Sequence, residues 1–231
     1  MNTAFNYSEI DEWEDIFERF PFLIEYKGLF TPDIQVLGLW WNGIILESQE
    51  NGLVYKIPLN KKDDKTKHEF LMHDRFRSTL EWNMRKKWNI PDYIQVPKLH
   101  NSPFEHNWLY AMEHIQGRSF NSLVLIDKYS DILSPEEQQL NDFGIEDALV
   151  NKYWLPKEEI LPNSRDLYDE SISSIIDWEK MMWLTVTLQW LEDAWLHHDD
   201  LHLWNFMLWD NGNIYIIDFG DSKREKQLLS I

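Results

Sequence analysis

The chain has 231 residues, 43% of them apolar and 15% aromatic, enough for one large domain or one domain of two lobes, and wholesale disorder is excluded. A formal net charge of −18 at pH 7 argues against binding a nucleic-acid backbone as the main task; an acidic surface suits basic partners or serves solubility. Cysteine is absent, which rules out disulfides and thiolate metal sites.

The first stretch, "MNTAFNYSEIDEWEDIFERF", is acidic and amphipathic, unlike a signal peptide. Residues 8–20 place Ile10, Trp13, Ile16, Phe17 and Phe20 on one side, the pattern of a helix. Four strand-like runs follow, "FLIEYKG", "IQVLGLW", "GIILESQ" and "GLVYKIPL", and Asn51-Gly52 marks a hairpin between the last two. After a charged turn over Lys61–Lys65, "TKHEFLMHDRFRSTLEWNMRKKW" predicts one long amphipathic helix. "IQVPKLHN" and "NWLYAMEHI" read as two further strands. The first 115 residues are therefore expected to be sheet plus packed helix.

From Gln116 the character changes. Residues 118–175 form an acidic segment of loops and short helices, punctuated by Pro135, Pro156 and Pro162. Residues 176–196 read as one helix, apolar nearly all round and so expected to be buried in the middle of a domain. Its uncharged stretch, Met181–Leu191, is too short to span a bilayer, and a soluble cytoplasmic protein without membrane contact is expected.

Residues 197–223, "HHDDLHLWNFMLWDNGNIYIIDFGDSK", gather three His and several Asp. "FMLW" and "IYII" are β-prone runs separated by the turn signal Asp210-Asn211-Gly212-Asn213. A hairpin brings its outer ends together, so Asn205 and Asp218 should meet, with Asp200 and His202 on the loop entering the same end. Asn and Asp are hard oxygen donors and suit Mg²⁺ better than Zn²⁺. A separate carboxylate nearby can orient a hydroxyl nucleophile.

Read from His198, "HDDLHLWN" is H-x-D-L-x-x-x-N, and with the following "DFG" it resembles the catalytic loop and metal-binding motif of the protein-kinase-like fold. The resemblance implies a two-lobed α+β fold, with residues 1–115 as an N-lobe of antiparallel sheet plus one helix. Residues 116–231 would be a reduced, mostly helical C-lobe: acidic insert 118–175, central helix 176–196 and catalytic hairpin 197–223. It implies Asp200 as catalytic base and Asn205 with Asp218 as Mg²⁺ ligands, while His198 braces the loop. Asp199 stands where many protein kinases carry Arg, and His202 replaces their usual Lys. In those features the chain is similar to aminoglycoside and choline phosphotransferases and to small atypical kinases. Eleven residues follow Gly220, without an A-P-E segment, as expected of a minimal member of the fold.

The same resemblance assigns upstream residues. "GLWWNG" puts Gly38 and Gly43 at the outer positions of a G-x-G-x-x-G phosphate loop with Trp40 at its middle one; a plain hairpin with two glycines has the same letters. Lys56 in "VYKIP" matches the strand Lys that holds ATP phosphates. Glu69 would be its helix partner, although Thr66-Lys67-His68-Glu69 also reads as a capping box, and Glu81 is the fallback. "LYAMEHIQGRSF" is similar to the fifth strand and hinge, which puts Met112 as gatekeeper and Glu113 to Ile115 at the adenine edge.

The implied reaction is Mg²⁺-dependent transfer of the ATP γ-phosphate to a hydroxyl, most simply Ser or Thr of a protein. A cationic small molecule is the alternative acceptor, suggested by His202 and by Asp142, Glu146, Asp147, Glu158 and Glu159 of the insert. Two rivals use the same letters: a pseudokinase that binds without turnover, and a phosphohydrolase metal centre built from His197, His198, Asp199, Asp200 and His202.

Overall fold

The computed structural model describes residues 21, 34–40, 43–58, 65–100, 110–160 and 170–224. The helix expected over 8–20, the strand "FLIEYKG", most of the turn at Lys61–Lys65, residues 107–109 of "NWLYAMEHI" and Pro162 lie outside the described residues. The protein is mixed α+β and divides into two compact units, Met1–Phe70 with Lys98–His114 and Leu71–Pro97 with Ile115–Ile231. Among the described residues, no helix is long and apolar enough to cross a membrane.

The first unit is built on an antiparallel sheet. β1 (Ile34–Trp40), β2 (Gly43–Ser48) and β3 (Leu53–Pro58) form a meander, followed by β5 (Leu99–His100) and β6 (Tyr110–Glu113), in the order β1-β2-β3-β6-β5. The β2–β3 turn carries Gly52 at φ 64°, with its N–H on the Ser48 carbonyl at 2.9 Å. Only glycine takes that left-handed conformation without strain, so the Asn-Gly signal reports a real steric need. On β2, Ile44 and Leu46 are buried while Ile45 and Glu47 are half-exposed, the alternation of a sheet with one covered face. On β3 the alternation is lost, for Val54, Tyr55, Lys56 and Ile57 are all buried.

The long helix is interrupted. α1 (Lys65–Ser78) leads into a π-helical turn at Thr79–Met84 and then α2 (Arg85–Trp88), the Arg85 N–H reaching back to the Leu80 carbonyl. The division between the units falls within α1, after Phe70.

The second unit holds an extended hydrophobic core. β4 (Ile94–Gln95) runs parallel to β10 (Ile214–Ile216); β9 (Phe206–Trp209) is antiparallel to β10 and to β7 (Gly117–Ser119), giving the order β4-β10-β9-β7. α3 (Phe120–Lys128) begins at Ser119, whose side chain accepts the Ser122 N–H. In the acidic segment stand α4 (Asp142–Asp147) and α5 (Lys157–Ile160). α6 (Trp178–Asp193) is capped by Asp177, whose side chain accepts the Lys180 N–H. Leu184, Leu188 and Leu191 join Phe76, Leu80, Ile94, Phe120, Phe206 and Phe219 in one cluster.

Expected to be buried all round, α6 is one-sided. Trp178 is 80% exposed, and Met182, Gln189 and Asp193 share its open face. The reason is that Trp and Met raise apolar content without having to be inside, since a large amphipathic ring packs well while partly exposed.

Candidate functional site

The residues singled out by sequence fall into two groups, one in each unit. In the first unit Lys56 projects from β3, and its Nζ lies 2.5 Å from Glu69 Oε2 on α1. Both are buried, with side chains 7% and 5% exposed. A buried ammonium is tolerable only when paired, and this one has its carboxylate. The capping-box alternative does not form. α1 starts at Lys65, so Thr66 already lies within the helix, and its buried hydroxyl has no hydrogen-bond partner among the described residues. Glu81 is spent elsewhere, on Arg77 one turn earlier, at 3.0 and 3.3 Å. Gly38 and Gly43 lie on β1 and β2, with Gly38 opposite Ile45, Gly43 opposite Trp40 and an irregularity between Val36 and Gly38. Met112 pairs with Val54 and Leu99 in mid-sheet, and the Glu113 N–H donates to the Lys98 carbonyl at 2.9 Å.

The second unit carries the acidic and amide groups. β8 (Leu196–His197) pairs with β11 (Lys223–Arg224), so the chain entering the loop and the chain leaving the hairpin are tied together. Between β8 and β9, a 3-10 turn at Leu203–Asn205 brings Asn205 back onto Asp200. Asn205 Nδ2 donates to Asp200 Oδ2 at 2.8 Å and to its carbonyl at 2.9 Å. His202 Nε2 holds the other carboxylate oxygen, Asp200 Oδ1, at 2.9 Å. Each oxygen of Asp200 thus has its own partner, and the carboxylate is oriented rather than free to rotate.

The hairpin behaves as its turn signal requires. Phe206 faces Ile216, and the Ile217 N–H bonds to the Asn205 carbonyl at 2.9 Å, one step beyond the last paired residues. Asp218 follows at once, and the Gly220 N–H donates to its Oδ1 at 3.3 Å. Asp199 and Asp218 both adopt left-handed backbone, φ 55° and 56°. For a non-glycine residue this costs roughly 1–2 kcal/mol, and such strain persists where the surroundings over-determine it, often at working sites.

Support comes from a buried aromatic cluster. His198 Nε2 bonds the Ile217 carbonyl at 3.0 Å, and Ser222 Oγ donates to the His198 carbonyl at 3.1 Å. The Phe219 ring, fully buried, stands 5.3 Å from His198, 5.0 Å from His73 and 4.8 Å from Phe76. Burial lowers the His198 pKa below its ordinary value, against smaller opposing effects from the Ile217 carbonyl, Asp218 and Asp200. His198 therefore braces the loop as a neutral ring.

Among the described residues no group of three or more His, Asp or Glu side chains is arranged to hold a metal ion, so the five-residue His-Asp centre is not formed. The donors that suit Mg²⁺ are fewer: Asn205, whose Nδ2 is committed to Asp200 and leaves Oδ1 as ligating atom, and Asp218. Ile115, the last of the adenine-edge residues, is buried, and its carbonyl accepts the Gly117 N–H at 2.8 Å.

Two contacts had no sequence signal. Glu146 Oε1 accepts from Trp204 Nε1 and from Asn121 Nδ2, both at 3.0 Å. Among the many acids of the insert nothing in the letters marks Glu146 as the buried one. Compared with protein-family models and with curated proteins, the chain matches none.

Proposed function

We propose that the chain is a protein-kinase-like phosphotransferase that moves the γ-phosphate of ATP to a hydroxyl, most simply that of a protein Ser or Thr. The observation that carries this reading is the double grip on Asp200, by Asn205 and His202, at the end of a hairpin whose other strand runs directly into Asp218. A carboxylate held in that way can accept the proton of the attacking hydroxyl as its oxygen bonds to the γ-phosphorus and the bond to the β-phosphate oxygen breaks. Asn205 Oδ1 and Asp218 would hold Mg²⁺, which neutralises charge on the phosphate oxygens. A site of one amide and one carboxylate fits that ion, because Mg²⁺ keeps waters and phosphate oxygens as its remaining ligands. The buried Lys56–Glu69 pair is the strand Lys–helix Glu ion pair that the same reading expects within the first unit.

The direct test is melting of the full chain with and without Mg-ATP, alongside Asp218→Ala. Saturating Mg-ATP should raise the Tm of the wild type by several degrees, about 2.7 kcal/mol at 100 times Kd, and leave the variant unmoved. Radiolabelled transfer to a basic protein substrate should then fall at least about 100-fold in Asp200→Ala. No response of the wild type to nucleotide would overturn the ATP reading. Equal transfer by wild type and Asp200→Ala would remove Asp200 from the reaction.

A further inference from the structure

Glu146 is only 8% exposed and Asn121 not at all, yet both are polar. Burying a carboxylate is costly unless hydrogen bonds replace its water, and here one oxygen collects two N–H donors, from Asn121 and Trp204. The base that carries it is fastened twice. Asp142, one helical turn before Glu146 on α4, accepts the Ser122 hydroxyl from α3, next to Asn121, which bonds Glu146 itself. α4 has its own cap, Asn141 Oδ1 accepting the Gly144 N–H at 2.9 Å.

Trp204 is the middle residue of the turn Leu203–Asn205. Two residues before it stands His202 and directly after it Asn205, the pair that grips the two oxygens of Asp200. The His202 ring meets the Trp204 ring edge-on, with centroids 6.3 Å apart. A hydrogen bond from the indole N–H to a carboxylate is charge-assisted and directional, so it fixes the azimuth of the ring as well as its depth. An apolar contact of equal area would leave the ring free to slide.

We propose that Glu146 is a positioning residue for the Asp200 loop: it pins Trp204 Nε1 and so holds His202 and Asn205 where they clamp the Asp200 carboxylate. The positioning role rests on the kinase reading; the strut itself does not. It also changes the status of the insert, because the Glu146 carboxylate is committed to the loop and is not a docking group for a cationic acceptor.

The test separates loop order from global stability. Hydrogen–deuterium exchange of the full chain is compared for the wild type, Trp204→Phe, Glu146→Ala and Glu146→Gln. Trp204→Phe removes the indole N–H and keeps an aromatic ring; Glu146→Gln keeps an acceptor oxygen. Amides of 198–205 should exchange about 10-fold faster in Trp204→Phe and Glu146→Ala, those of the hairpin 206–216 should stay unchanged, and Glu146→Gln should stay near wild type. In phosphate transfer, the first two variants should lose about 10-fold in kcat with KM for ATP within about 2-fold, the split expected for a misplaced base. Unchanged exchange over 198–205, or equal acceleration of loop and hairpin, overturns the strut. Faster loop exchange in a wild-type background that ignores Mg-ATP keeps the strut and overturns the kinase reading instead.

Discussion

Protonating His198 would put a cation between the rings of Phe76, Phe206 and Phe219, 5.3 to 6.2 Å away, in a place closed to water. The neighbouring carboxylates Asp200 and Asp218 and the Ile217 carbonyl favour the cation, but burial outweighs them and the folded-state pKa lies below the ordinary 6.5. The sign follows from linkage. Below 6.5 the unfolded chain binds a proton that the folded chain refuses, so the stability due to this residue is complete above 6.5 and is lost as pH falls beneath it. Urea unfolding at pH 7.5 and pH 5.5 should show a decline of at most about 1.4 kcal/mol per pH unit from this one proton. His198→Asn should be less stable at pH 7.5 and should flatten that decline; an equally steep profile in the variant would assign it to other groups. At the same scale Lys56 shows where sequence reasoning stops short. The letters allowed Glu69 to cap its own helix or to meet Lys56, and only the start of α1 at Lys65 decides between them. A helix boundary shifted by two residues would have left the capping box standing.

Elements were legible where local chemistry dictates them. The strand-like runs on either side of Asn51-Gly52 locate β2 and β3 to within a residue or two, and the turn at Asp210–Asn213 does the same for β9 and β10. The π-helical turn at Thr79–Met84 was not legible, because it changes which carbonyl each N–H meets and leaves the side-chain pattern almost untouched. Nor was β7, three residues long, which exists because Gly117 lets two backbones approach. A Cβ on Gly117 would run into the Leu208 carbonyl and stand 3.0 Å from Trp209 Cα, both backbone atoms that cannot turn aside. Gly117→Ala should therefore cost about 1–3 kcal/mol, read as a lower urea midpoint at unchanged slope. The strain falls on the Leu208–Trp209 end of β9, so the amides of Leu208 and Trp209 should lose protection from exchange before the rest of the unit. A variant as stable as the wild type would mean that β7 can move away from β9 at no cost. The acidic segment shows the same division between local and tertiary information. Ser134 and Glu137 form a reciprocal capping box readable as S-x-x-E, Ser134 N–H to Glu137 Oε2 at 2.8 Å and Glu137 N–H to Ser134 Oγ at 3.2 Å. The Lys152 and Tyr153 side chains that complete the network, at 2.6 and 2.7 Å from Glu137, come from a separate turn and left no mark in the sequence.

The whole chain carries 40 acidic and 22 Lys or Arg residues. Several cations are already matched within the fold, as in Arg77–Glu81, Lys152–Glu137 and Lys223–Asp199, so the excess of 18 negative charges faces itself. Like charges spread over a domain repel, and folding brings them closer than the unfolded chain does. Salt acts on both kinds of interaction. It weakens the surface pairs, each worth about 0–1 kcal/mol, and it shortens the reach of the repulsion from about 20 Å at 20 mM to about 4 Å at 500 mM. Surface pairs of that modest size, set against a net charge of −18, leave repulsion as the larger effect. Sodium chloride raised from 20 to 500 mM at pH 7.5 should therefore increase Tm by a few degrees, with most of the gain below 150 mM where the screening length changes fastest. Chloride is the anion to use, because sulfate stabilises by exclusion from any protein surface and would mask the effect. A Tm that falls with sodium chloride would mean that the internal pairs outweigh the net charge. If the proposed phosphate transfer takes place, the same field bears on its acceptor: a Lys- or Arg-rich substrate should be captured quickly at low salt and progressively more slowly above 150 mM. A neutral acceptor would show no such dependence, so the salt profile of the transfer rate reports the charge of the partner before its identity is known.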